Sequence, residues 1–436
     1  MRISFFGAAE EVGRSCMLLE SEHAKILLDA GIKLGKPIEY PTIPQNIVKG
    51  IDAVVLSHTH LDHSGFLPHL YAMGYTGKVY ATKPTIELTN VMLSDYISIS
   101  KPRDITNKVM EHLHKSYEIK EFREAFTIKD LTIEFFQSGH ILGSALVRVS
   151  DGRHSLVYTG DLNMAKTRLL GGADTKGLSA ETLIIECTYG SKKDVFPPEN
   201  VTTNKMLKSI NETIKAGGKV MIPSFAVGSA EQVLLMLDDY MNSGILQKVP
   251  IYIDGMINKA MRIHRHNVIY ARKELQMRIL MSDYDPFKAI NFVPIEDRRA
   301  RGEVARSDKS CIIVTTSGMI VGGPILFYLS KLGSSPQNKL LQIGYQASGT
   351  LGREIQNGAK EVLIDGKKVK IALTVESYHL SGHGDRPQLD MLIKKIHGLK
   401  RVFLMHGEKE KIMEFKDDLS GKFDAVVPKQ GEQYEL

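Results

Sequence analysis

The segment His58-Thr59-His60-Leu61-Asp62-His63 places three imidazoles and one carboxylate within six residues. Imidazole nitrogen and carboxylate oxygen are donors that suit zinc. The segment follows an apolar run, Ala53-Val54-Val55-Leu56, which reads as a buried strand. Its donors would therefore sit on a loop at a strand's C-terminal edge, where open α/β sheets place their sites. Six residues can begin two metal sites but cannot complete them. The remaining donors must come from elsewhere in the chain.

Four other strand ends can supply them. Asp29 ends Ile26-Leu27-Leu28 and precedes Ala30-Gly31. His140 follows Leu131-Thr132-Ile133-Glu134-Phe135-Phe136 and has Gly139 before it. Asp161 ends Leu156-Val157-Tyr158-Thr159-Gly160, and His406 ends Val402-Phe403-Leu404-Met405 and precedes Gly407. Each repeats one grammar: an apolar strand, one polar donor, a small residue beside it. His23, His69, His112, His114, His154, His264, His266 and His397 lack it and read as surface or packing residues.

This set resembles the metallo-β-lactamase fold, whose motifs match Asp29, the His-x-His-x-Asp-His loop, His140 and Asp161 in order. The resemblance implies an αββα sandwich. It implies one zinc on His58, His60 and His140, a second on Asp62 and His63, and Asp161 bridging them, with Asp29 holding the ligand loop from behind. Glyoxalase-like members close the second site with a His after the bridging Asp, and here none occurs between Asp161 and His264.

Later segments resemble the β-CASP nucleases. Ile184-Ile185-Glu186-Cys187-Thr188-Tyr189-Gly190, Ser381-Gly382-His383-Gly384-Asp385 and Leu404-Met405-His406-Gly407-Glu408 are similar to their three additional motifs. Pro223-Ser224-Phe225-Ala226-Val227-Gly228, Ile251-Tyr252-Ile253-Asp254-Gly255, Thr315-Thr316-Ser317-Gly318-Met319 and Glu11-Val12-Gly13-Arg14-Ser15-Cys16 match as well. Gly344-Tyr345-Gln346-Ala347-Ser348-Gly349-Thr350-Leu351-Gly352 resembles the branch of the cleavage and polyadenylation specificity factor nuclease more than that of ribonuclease J. Archaeal homologues of that factor, of the type without KH domains, match best.

That resemblance implies a zinc-dependent ribonuclease acting on single-stranded RNA in RNA processing or decay, as an endonuclease, a 5′-to-3′ exonuclease, or both. It implies two zinc ions per chain, with His406 among their ligands, and a homodimer through the C-terminal region. Zinc-activated water near Asp62 and Asp161 would attack phosphorus. His383 would protonate the leaving oxygen, with Glu186 orienting its ring. His379 is the competing imidazole, but only His383 precedes Asp385 in the family's pattern. Ser317 and Gly318 are candidates for holding an RNA phosphate through backbone N–H groups. The sequence departs from the family at Ser229, where Arg is usual, and at the two glycines flanking His383. Two other classes are open: a small-molecule metallohydrolase, and an inactive scaffold subunit of an RNA-processing complex. The inserted segment and late histidines argue against the first, and the intact donor set against the second.

The organisation follows from where the donors fall. Residues 1–195 alternate strands and helices and carry the early donors. Residues 196–350 carry none and alternate β and α, which suggests a parallel sheet and an inserted β-CASP α/β domain. Residues 351–436 bring the chain back with His383 and His406. Donors at both ends of the chain, with a self-contained unit between, place the expected site in a cleft between domains.

Composition bounds the class. The 436 residues are 43% hydrophobic and 24% charged, as in globular proteins with a sizeable core. No apolar run approaches the roughly 20 residues that span a bilayer, so no membrane is expected. Three widely spaced cysteines give no disulfide framework, which fits a cytoplasmic setting. The formal net charge of +6 permits nucleic-acid binding without requiring it.

Overall fold

Arg2–Phe5 alternates polar and apolar residues, whereas Met17–Glu20 and Lys25–Leu28 carry continuous apolar runs whose side chains enter a core on each face of their sheet. The computed structural model describes residues 1–35, 37–380 and 382–436. Packing divides the chain into two units. The first comprises Met1–Lys166, Leu170–Val195 and His383–Leu436, and the second comprises Thr167–Leu169 and Phe196–Gly382.

The first unit is built on two seven-stranded sheets. Lys25–Leu28 and Ala53–Val55 are parallel neighbours in one of them. Gln433–Glu435, at the chain's end, pairs antiparallel with Arg2–Phe5 in the same sheet. In the other sheet Arg401–Met405, Thr182–Glu186 and Ser155–Tyr158 run parallel. Leu131–Gln137 has the same direction, because two antiparallel pairings separate it from Ser155–Tyr158. One core lies between the sheets, with Phe5, Met17, Ile26 and Val55 meeting Phe135, Val147, Leu156 and Phe403. The outer face of each sheet packs a separate core against helices, such as Leu67–Ala72 on the first and Lys409–Leu419 on the second. The layers are therefore α, β, β, α, as the family resemblance implied.

The second unit has a six-stranded sheet in the order Phe292–Pro294, Ile251–Asp254, Ile312–Thr315, Val220–Pro223, Lys339–Ile343, Thr374–Tyr378. Every neighbouring pair is parallel, the arrangement expected from the β/α alternation. The expected boundary at 350 falls inside this unit. Thr374–Tyr378 pairs with Lys339–Ile343 at the sheet edge, and that pairing carries the unit on to Gly382. Among the described residues, no helix is long and apolar enough to cross a membrane.

Candidate metal centre

Six strands of the first unit place donors at their C-terminal ends, and parallel direction puts those ends at common sheet edges. Asp29 follows Lys25–Leu28, and His58 is the third residue after Ala53–Val55. His140, Asp161 and His406 follow Leu131–Gln137, Ser155–Tyr158 and Arg401–Met405. Glu186 is the last residue of Thr182–Glu186. Asp29 and His406 take left-handed φ angles of +60° and +50°. For residues other than glycine such a conformation costs about 1–3 kcal/mol and persists only where the surroundings enforce it.

Close backbone approach explains two glycines beside donors. A Cβ on Gly31 would lie 1.7 Å from the Asp62 carbonyl oxygen, and one on Gly407 would lie 2.4 Å from that of Cys187. Any larger residue would push the donor turns apart.

Asp29 is fully buried and organises the ligand loop. Its Oδ1 accepts the Ser57 N–H at 2.6 Å. Its Oδ2 accepts the Ser57 hydroxyl at 2.7 Å, the Tyr158 hydroxyl at 2.7 Å and the His63 Nδ1–H at 2.6 Å. Because the Ser57 proton goes to Asp29, His58 Nδ1, 3.0 Å from Ser57 Oγ, must be the donor there. Both His58 and His63 therefore carry their proton on Nδ1 and present a lone pair on Nε2, the state a metal requires.

The donors form two sets that share Asp161. In the first, His58 Nε2 and His140 Nε2 lie 3.4 and 3.6 Å from Asp161 Oδ2, and His140 Nε2 lies 3.1 Å from His60 Nδ1. In the second, His63 Nε2 is 3.4 Å from Asp161 Oδ1 and 4.0 Å from Asp62 Oδ2. His406 reaches Asp62 Oδ2 at 3.3 Å through Nε2 and Asp161 Oδ1 at 3.4 Å through Nδ1. Bonds of 2.0–2.2 Å in a tetrahedron give an edge of about 3.3 Å, so these separations suit donors around a shared cation. His58 Nε2, His63 Nε2, Asp161 Oδ1 and His406 Nε2 are buried and have no hydrogen-bond partner among the described residues. Leaving such atoms unsatisfied is costly, and a metal ion at each set would satisfy them. The residues present therefore fit the group: each set combines imidazole nitrogen and carboxylate oxygen, ready for a divalent cation.

The electrostatics agree. Burial, with a neighbouring imidazole, lowers the His58 pKa, takes that of His60 down to about 4 and holds that of His140 well below the usual range. These rings are neutral, as ligands must be. Burial opposes charge at His63, yet Asp161 and Asp29 outweigh it and raise its pKa well above the usual range, so this point calls for positive charge: a proton on Nε2 in the metal-free protein, which a cation bound there would replace. Asp62 and Asp161 stay ionised in spite of burial because imidazoles surround them.

His383 stands beside the sets. Its Nδ1–H donates to both oxygens of buried Glu186, at 3.1 and 3.0 Å, and Glu186 Oε1 also accepts the Leu162 N–H at 2.8 Å. The His383 ring lies 4.6 Å from that of His140, and its Nε2 is 3.9 Å from Asp161 Oδ2. Burial would lower its pKa, but the Glu186 and Asp161 carboxylates outweigh burial and push it up to about 9. Asp385 caps the helix Arg386–Lys395 by accepting the Gln388 N–H, which fixes the turn that carries His383. Ser381 of the same motif lies outside the described residues.

His379 belongs to the second unit and stacks on Phe196, with ring centroids 4.9 Å apart. Ser317 and Gly318 also lie there, just after the strand Ile312–Thr315. The Ser317 hydroxyl accepts the Val321 and Gly322 N–H groups, and Gly318 is buried with its carbonyl accepting from Gln346. Ser229, at the unusual position, begins the helix Ser229–Asn242, and its hydroxyl accepts the Phe225 N–H at 3.0 Å. It thus secures the preceding turn locally.

Sequence reasoning missed Ser57 and Tyr158. A small hydroxyl residue next to the ligand loop was a usable sign for Ser57. Nothing in the sequence marks Tyr158, whose partner Asp29 lies 129 positions away.

An αββα sandwich, paired donor sets at its strand ends and an inserted parallel α/β unit together define a metallo-hydrolase class. The chain matches the metallo-beta-lactamase superfamily domain over residues 18–186, the Beta-Casp domain over 230–355 and the Zn-dependent metallo-hydrolase RNA specificity domain over 368–428. It is 37% identical to the transcription termination factor FttA of Methanocaldococcus jannaschii, over 97% of this chain and 69% of that protein. Identity to FttA of Methanothermobacter thermautotrophicus is 36%, over 96% of this chain and 69% of the relative. The chain belongs to the β-CASP metallo-β-lactamase family that includes these archaeal proteins. A crystal structure of a protein of unknown function from Enterococcus faecalis V583 shares the fold at TM-score 0.61 and 14% identity, over 100% of this chain and 99% of that one.

Proposed function

We propose that this protein is a zinc-dependent ribonuclease that hydrolyses phosphodiester bonds of single-stranded RNA in RNA processing or decay. One observation carries the reading: Asp161 divides its two carboxylate oxygens between two donor sets, and a buried carboxylate holds an imidazole next to it. His58, His60, His140 and Asp161 would hold one zinc, and Asp62, His63 and His406 the other, with Asp161 Oδ1 reaching the second set at 3.4 Å from both His63 and His406. Bound zinc would supply Lewis acidity and a water nucleophile at neutral pH.

The chain's own residues account for the rest. Asp29 fixes the His63 ring directly and the His58 ring through Ser57, so both lone pairs face inward. Asp62, half-buried beside His406, is placed to orient the attacking water. His383, kept protonated by Glu186, donates a proton from Nε2 to the leaving oxygen, since Nδ1 is engaged. The matched RNA specificity domain and the relatives' name as transcription termination factors support RNA as the substrate.

The test is incubation of the zinc-loaded protein with 5′-labelled and 3′-labelled single-stranded RNA, followed by sizing of products. Internal fragments indicate endonuclease action, and mononucleotides released from the 5′ end indicate exonuclease action. Intact RNA alongside turnover of a small ester or thioester would overturn the proposal in favour of a small-molecule hydrolase. Intact RNA without any turnover would favour a scaffold.

A further inference from the structure

The loop between the first two strands has an unusual backbone. Ala8, Glu10 and Arg14 take φ angles of +56°, +56° and +43°, with Gly13 at +109° between the last two. Three residues bearing a Cβ in the left-handed region within seven positions will relax unless their surroundings hold them. The holding contacts are specific. Glu11 accepts from Arg14 Nε at 2.5 Å and from Lys33 Nζ at 2.7 Å. Arg14 also donates to the Tyr40 carbonyl at 3.1 Å. Glu10 pairs with Lys409 at 3.1 Å.

The loop's main chain ends on two donor turns. The Ala8 carbonyl accepts the His406 N–H at 2.8 Å. At the other end the Ser15 N–H donates to the Asp62 carbonyl at 2.8 Å, and the Ser15 carbonyl accepts from Gly31 at 2.8 Å. Asp62 and His406, whose side chains meet at 3.3 Å, are thus set by one strap at the backbone level. The His58 turn is tied differently, through Ser57 to Asp29 and through the Ser57 carbonyl to the Ala145 N–H. The His140 turn closes on itself through Ser138 and Ser144.

We infer that the loop Ala8–Ser15 is a positioning strap for the Asp62–His63–His406 set alone, with Glu10 and Glu11 as its anchors. The two cation positions then differ in what sustains them, and the second can be emptied without disturbing the first. This rests on the proposed two-metal reading.

Zinc titration of the metal-free protein by calorimetry tests it, with folding of each variant followed by circular dichroism. Wild type should take up two ions. Glu11→Ala should keep one event at wild-type affinity and weaken the other by roughly 10–100-fold, the usual cost of losing an outer support. Glu11→Gln, which retains a hydrogen bond to Arg14, should fall between. Lys409→Ala cuts the exposed partner of Glu10 and should move the same event less, so the inference stays testable if Glu11→Ala folds poorly. His60→Ala should remove the other event, which identifies the two. Folded anchor variants with both events unchanged, or both weakened alike, would overturn the inference. Fewer than two ions on wild type would overturn the two-metal reading itself.

Discussion

Glu186 and His383 are 197 positions apart, and the His383 Nδ1–H rests between both oxygens of the Glu186 carboxylate at 3.1 and 3.0 Å. The bond engages Nδ1, fixes the tautomer and raises the proton affinity of the ring. Sequence proximity plays no part in it.

His383→Ala should therefore lower RNA cleavage by about 10²–10⁴, the range for loss of a positioned general acid. Zinc content and folding should persist. His379→Ala, which loses a ring stacked on Phe196, should cost little. Strong loss with His379→Ala and little with His383→Ala would show that the two roles are exchanged.

Glu186→Gln addresses the pH dependence. The Glu186 carboxylate is the largest influence raising the His383 pKa, so its neutralisation should lower that pKa from about 9. The acid form would then be lost at lower pH, and the alkaline limb of the kcat/KM profile should move toward neutrality. An unmoved alkaline limb would mean that another group sets it.

Asp161 serves both donor sets, and its replacement should be felt by both. Elemental analysis of wild type should give close to two zinc equivalents per chain. His60→Ala should lower the value by one and Asp161→Ala by more than one. Active wild type with zinc near zero would refute the metal assignment.

Asp29 and Gly31 support the loop from behind. In metal-free protein Asp29→Ala removes the fully buried partner of His63, a change worth about 3–5 kcal/mol. Gly31→Ala forces a Cβ to within 1.7 Å of the Asp62 carbonyl oxygen, and overpacking typically costs about 1–3 kcal/mol. Gly171→Ala, with nothing within 4 Å of the added carbon, should be nearly neutral. Denaturant unfolding ranks the three, and a Gly31→Ala midpoint equal to that of Gly171→Ala would contradict the close approach.

The second unit should contribute to RNA binding and not to metal binding. All groups able to hold a metal, among the described residues, lie in the first unit. A folded variant in which a short linker replaces Phe196–Gly382 should keep its zinc and lose RNA affinity. The lost component should be salt-sensitive, as phosphate contacts are. Zinc loss from that variant would reveal a missing ligand, and unchanged RNA affinity would remove the second unit from substrate binding.

Local chemistry made much of this protein readable from sequence. Apolar runs marked strands such as Ala53–Val55 and Arg401–Met405, and β/α alternation marked the parallel sheet of the second unit. A donor directly after an apolar run, with a small residue beside it, identified Asp29, His58, His140, Asp161 and His406 as one population, because a strand end is where a side chain can leave the core. Three things were decided only by tertiary structure. Strand direction brought those ends to common edges, so that His58 and Asp161 meet at 3.4 Å. The pairing of Thr374–Tyr378 with Lys339–Ile343 set the end of the second unit at Gly382, and no local signal at residue 350 competes with five paired residues. The partners of Asp29 were invisible in advance, since Tyr158 reads as an ordinary core residue until its strand is laid across the other sheet. Residue type and spacing determine which atoms can bind or donate. Which of them share a cation or a proton is a matter of distance, and distance between remote strands is fixed by sheet order and packing.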